Sequence, residues 1–93
     1  MSTRWAGIIL NVDLGLAIGG GVGAIASYIR RKGKKEAARV FSRTVKSRLT
    51  AWGAPKLAWE VVGAVTFALN FSDVGGMIAK QIDKRDKKKI MAI

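Results

Sequence analysis

From Trp5 to Ile29 the chain reads WAGIILNVDLGLAIGGGVGAIASYI, 25 apolar, glycine or small residues interrupted by Asn11 and by one charge, Asp13. A segment of this kind must leave water, either into a protein core or into a bilayer. Its glycines bear on how. Inside a helix, each of Gly19, Gly20, Gly21 and Gly23 costs about 1 kcal/mol relative to alanine. The cluster therefore reads as a hinge between a first helix, Trp5 to about Leu16, and a second from about Gly23 to Lys32. A second reading stands beside it. Gly15, Gly19 and Gly23 recur every four residues, the small-residue spacing that lets another helix approach closely in a membrane. The segment is long enough to span a bilayer. Asp13 near its middle is costly there unless paired or neutralised.

The rest of the chain is patterned as helices. Gly33 suits the end of the second helix, with Arg30, Arg31 and Lys32 at its C-terminal carbonyls. Over Lys34 to Trp52, the residues Ala38, Phe41, Val45, Leu49 and Trp52 recur at spacings of three and four, the period of an amphipathic helix. Lys35, Arg39, Arg43 and Lys46 take the other face. Arg48 lies near the apolar face, where it must snorkel or pair. Gly53 and Pro55 mark a turn. Lys56 to Asn70, KLAWEVVGAVTFALN, follows. From Val61 to Leu69 it is apolar on every side, the mark of a central, buried helix. Twelve uncharged residues, Val61 to Ser72, are too few to span a membrane. Ser72 or Asp73 suits the N-cap of a last helix. In that helix Val74, Met77, Ile78 and Ile82 share a face, and Asp83 and Lys87 form an i,i+4 pair. The apolar end, Ile90 to Ile93, either frays or docks. No strand pattern and no repeat appears. The expected fold class is all-α: a compact bundle of four or five short helices around Phe41, Val45, Leu49, Val61, Val65, Leu69, Val74 and Ile78.

Charge follows each apolar block. The net charge is +11, with residues 30–56 carrying ten Lys or Arg against one acid. A field of that sign draws anionic lipid or nucleic acid. There is no cysteine and no histidine, which removes thiolate chemistry, disulfides and the commonest general base and metal ligand. The six acids are scattered. No catalytic residues, metal ligands, cofactor or small-molecule substrate are expected, and an enzyme is not. A nucleic-acid module normally shows a recognisable reader, and none is visible.

Arg4, the apolar run and Ala24-Ile25-Ala26 can be read as a signal peptide. Asp13 and six glycines make a poor apolar region for one. A double-glycine leader ending at Gly19-Gly20 fits loosely, since the run continues to Gly21. The chain is therefore read as one helical domain over 1–93, with cleavage of a segment 1–26 disfavoured.

The residues expected to meet anionic lipid are Arg30, Arg31, Lys32, Lys34, Lys35, Arg39, Arg43, Lys46, Lys84, Lys87, Lys88 and Lys89. Trp5, Trp52 and Trp59 lie near helix ends. Indole prefers the membrane–water interface, so they are candidate anchors there. They suit core corners as well, and Trp52 and Trp59 flank the same turn closely enough to touch. Gly15, Gly19, Gly20, Gly21 and Gly23 are the candidate hinge or packing residues.

Leu16-Ala17-Ile18-Gly19-Gly20-Gly21, Tyr28-Ile29 before a basic stretch, Glu36-Ala37-Ala38, Phe67-Ala68-Leu69-Asn70 and Val74-Gly75-Gly76-Met77-Ile78 occur in an order that resembles the closticin-like bacteriocins. The likeness covers about residues 14–80 as a pattern of similar residues. More broadly the chain is similar to the leaderless and circular bacteriocins. That resemblance implies a saposin-like bundle and a secreted antibacterial toxin that permeabilises anionic bacterial membranes without an enzymatic step. It leaves open a target-cell receptor. This chain departs from the family in length, in its charged last helix and in lacking an apolar end-to-end junction. Two alternatives stand: a small integral membrane protein, holin-like or channel-like, spanning with residues 5–29, and a basic nucleic-acid-binding protein.

Overall fold

The computed structural model describes the backbone over residues 3–90 and side chains as far as Lys84. All regular structure in that range is helical: α1 (Thr3–Ile18), α2 (Ile25–Lys32), α3 (Lys34–Ala51), α4 (Ala58–Ala68) and α5 (Val74–Ile90), with 3₁₀ turns at Val22–Ala24 and Pro55–Leu57. The periodicity of the sequence locates each helix, and glycine sets the breaks. Gly19, Gly33 and Gly53 take positive φ just past the ends of α1, α2 and α3, at no steric cost. At Gly53 the close is a Schellman turn. The Ala54 N–H donates to the Leu49 carbonyl at 2.8 Å and the Gly53 N–H to that of Thr50 at 3.0 Å.

Four helices form a ring. α1 packs on α3 and α5, and α4 packs on the same two helices, so α1 and α4 stand at opposite corners. α2 lies across α3 and the end of α1, with Tyr28 stacked on Phe41 at 5.7 Å between ring centres. The eight expected core residues are all buried, joined by Leu10 and Leu14 of α1, Ile25 and Tyr28 of α2, and Ala64 and Ala68 of α4. The radius of gyration is 12.4 Å, against about 12 Å for a compact chain of this length.

Two expectations are corrected. The stretch Lys56 to Asn70 is not central: α4 is a corner helix that buries Val61, Ala64, Val65 and Ala68 and exposes Trp59, Val62 and Phe67. In a ring of four helices each can turn only one face inward, however apolar its other faces are. Nor do Gly15, Gly19 and Gly23 line one face of a continuous helix. α1 stops at Ile18, and the stretch Val22–Lys32 leaves at 72° to it. Gly15 is a packing position of a different kind, since a Cβ there would collide with the backbone of Gly21 and Val22. A close approach of two helices lies elsewhere, where Gly7 of α1 meets Gly76 of α5. A Cβ on Gly7 would lie 2.9 Å from the Gly76 Cα.

Candidate functional site

α1 is fastened to the bundle by two polar latches. Asp13 receives two hydrogen bonds from the Arg48 guanidinium of α3, Nε to Oδ2 at 2.5 Å and Nη2 to Oδ1 at 2.8 Å. This two-point geometry is the strong form of a charged pair. The Asp13 side chain is 14% exposed and that of Arg48 35%. The hydrogen bonds first, and the carboxylate charge second, raise the guanidinium pKa above its ordinary value. The raised guanidinium pKa means that Arg48 itself titrates out of the pair only above its ordinary value, beyond the neutral range. The same guanidinium lies over Trp52, 5.8 Å from the ring centre. The second latch caps α5. Asp73 Oδ1 accepts from the Gly76 N–H at 3.1 Å, and Asn11 Oδ1 of α1 accepts from the Gly75 N–H at 2.8 Å. Asn11 Nδ2 donates back to Asp73 at 2.8 Å.

The expected lipid-facing cations Arg30, Arg31, Lys32, Lys34, Lys35, Arg39, Arg43, Lys46 and Lys84 are all exposed. Those before residue 50 lie at the end of α2 and along α3. Two of them have partners. Lys34 Nζ donates to Asn70 Oδ1 at 2.7 Å, and Arg39 to Glu36 Oε1 at 2.7 Å. The bond to Glu36, then its charge, holds the Arg39 pKa above the ordinary value. Lys87, Lys88 and Lys89 lie beyond the described side chains, as does the Asp83–Lys87 pair. Residues 91–93 of the apolar end lie outside the described residues.

The three tryptophans are not brought together. Trp5 is 63% exposed on the outer face of α1 and Trp59 is 90% exposed on α4 at the opposite corner. Trp52 is half-buried under Arg48. A contact between Trp52 and Trp59 is thereby ruled out as a stacked pair, because Trp59 projects into solvent. Sequence patterning missed the company these residues keep. Ile8, Val12 and Leu16 continue an exposed row from Trp5, and Val62, Phe67 and Phe71 accompany Trp59. Phe67 and Phe71 pack at 5.0 Å between ring centres. The available signal was the all-round apolarity of both segments, which exceeds what a bundle of this length can bury.

Among the described residues no single helix is long and apolar enough to cross a membrane; α1 and the segment Val22–Lys32 reach that length and composition only as a bent pair. Among the same residues no three acidic side chains converge as a metal site would need. The fold and this surface define an all-α bundle with a buried apolar core, a cationic side and two exposed apolar rows. No family model, no curated protein and no solved structure matches the chain.

Proposed function

We propose that this chain is a secreted antibacterial toxin of the bacteriocin kind, which binds anionic bacterial membranes and permeabilises them. One observation carries the reading: large apolar side chains, two of them tryptophan, stand in solvent on a bundle of net charge +11 that already buries a core of its own. Exposed apolar rows bordered by polar residues mark interaction sites. The charge selects an anionic partner, and each Lys or Arg near an anionic bilayer contributes about 1 kcal/mol of attraction. Tryptophan and phenylalanine then enter the interfacial layer. The glycine hinge at 19–21 and the corner position of α4 leave both apolar segments at the surface, where the bundle opens into lipid and the bilayer leaks.

The test is full-length protein titrated, without detergent, into dye-loaded vesicles of anionic or zwitterionic lipid. Release from the anionic vesicles alone is the expected result. Retention of dye by both sets, with soluble and helical protein, overturns the reading. A protein that dissolves only in detergent points instead to an integral membrane protein, and a salt-sensitive gel shift without leakage to nucleic-acid binding.

A further inference from the structure

The two exposed apolar rows stand at opposite corners of the ring, so a flat bilayer meets one of them first. Resting on the membrane reading above, we infer that the docking side is the outer face of α4 with the adjoining flank of α3, and that the α1 row points away from the lipid.

The cations decide the side. α3 lies between α1 and α4. Arg48 turns to α1, where it binds Asp13, and Thr44 lines the same groove with Asp13 and Leu16. A step of two residues along a helix rotates roughly 200°, so Lys46, between Thr44 and Arg48, takes the flank toward α4. Arg39 and Lys35 lie seven and eleven residues earlier on that same flank. At the far end Lys34 is bonded to Asn70 just beyond α4, and Arg30 and Lys34 line one groove with Leu69 and Phe71. The aromatic row Trp59, Phe67 and Phe71, with Val62, is thus bordered by Arg30, Lys34, Lys35 and Lys46, while the Arg39 charge is matched by Glu36. The α1 row holds one aromatic residue. Its borders carry Arg4 and Lys80 on the α5 side and Arg43 on the α3 side, while the Arg48 charge is matched by Asp13.

The same charges choose the occupant. A second copy on this face would set four unmatched cations against four, within two molecules of net charge +11. An anionic lipid surface has phosphates for the cations and, directly beneath them, the interfacial layer that aromatic rings prefer.

The experiment uses two full-length variants that each keep one tryptophan. One is W5F/W52F, which retains Trp59, and the other is W52F/W59F, which retains Trp5; circular dichroism checks that both stay helical. Each is added to phosphatidylglycerol-containing vesicles, with plain or brominated acyl chains, below the concentration that releases dye. Trp59 emission is expected to shift to the blue and to be quenched by bromine, and Trp5 emission to stay unchanged. Quenching of Trp5 alone, or of both equally, overturns the assignment of the face but leaves membrane binding standing. Quenching of neither overturns the membrane reading itself. A second comparison is independent of fluorescence. K35Q/K46Q is expected to weaken vesicle affinity roughly tenfold or more, and R4Q/K80Q to weaken it far less. Equal losses overturn the assignment.

Discussion

At Gly7 two physical effects of opposite sign meet. Helix propensity alone makes Gly7→Ala stabilising by about 1 kcal/mol. The structure sets the new Cβ against the Gly76 Cα at 2.9 Å, so α1 and α5 must separate, and overpacking of this kind costs about 1–3 kcal/mol. Gly7→Ala is expected to lower the denaturation midpoint. Gly23→Ala, where a Cβ meets nothing within 4 Å, is expected to leave it unchanged or raise it. Urea titrations of the two variants read the sign directly. Asn11 is a second such residue. In sequence it is a polar interruption of an apolar helix; in the fold it accepts from one free N–H of α5 and steadies Asp73. Asn11→Ala is expected to cost about 1–2 kcal/mol, the scale of a lost helix cap, measured by the same titration.

At the scale of the elements, α3 was the most legible helix, and for a simple reason. Apart from Arg48, its apolar and basic positions separate at a period of 3.6, and Phe41, Val45 and Leu49 of the expected apolar face are buried. α4 was expected at the centre because an all-apolar segment carries no period to show that one of its faces stays outside, although its expected core residues Val61, Val65 and Leu69 are all buried. The latch between α1 and α3 was half legible. Asp13 and Arg48 each needed a partner, and nothing in their spacing of 35 residues named the other. The exposed side of α3 carries its own prediction. Replacing Lys34, Lys35, Arg39 and Arg43 together with glutamine is expected to weaken binding to anionic vesicles and to flatten its dependence on salt, since fewer charges remain to be screened. Affinity measured across a salt series checks both; an unchanged affinity would remove the electrostatic step.

For the whole molecule, the core and the surface make opposing demands. Burial of Leu10, Leu14, Phe41 and Ile78 holds the ring shut, while the proposed membrane step moves the apolar rows on α1 and α4 into lipid. Weakening the core without touching the surface therefore separates docking from opening. Ile78→Ala is expected to cost about 2–5 kcal/mol and to quicken dye release while leaving vesicle affinity unaltered. Stopped-flow leakage and equilibrium binding of the same protein measure the two quantities. Slower release at equal affinity would mean that permeabilisation needs the closed bundle.

The sequence by itself determined that the chain is helical, where its helices lie, the part of its core that α3, α4 and α5 supply and that its charge is segregated. Each of these is set by neighbours within a few turns, through apolar period, glycine breaks and charge runs. Only the tertiary structure decided that α1 and α4 take opposite corners, that Gly7 meets Gly76, that Asp13 finds Arg48, and that Trp5 and Trp59 face apart. Those outcomes depend on how segments far apart in the chain pack, where one buried face per helix is the limit and the surplus apolar surface must go outward.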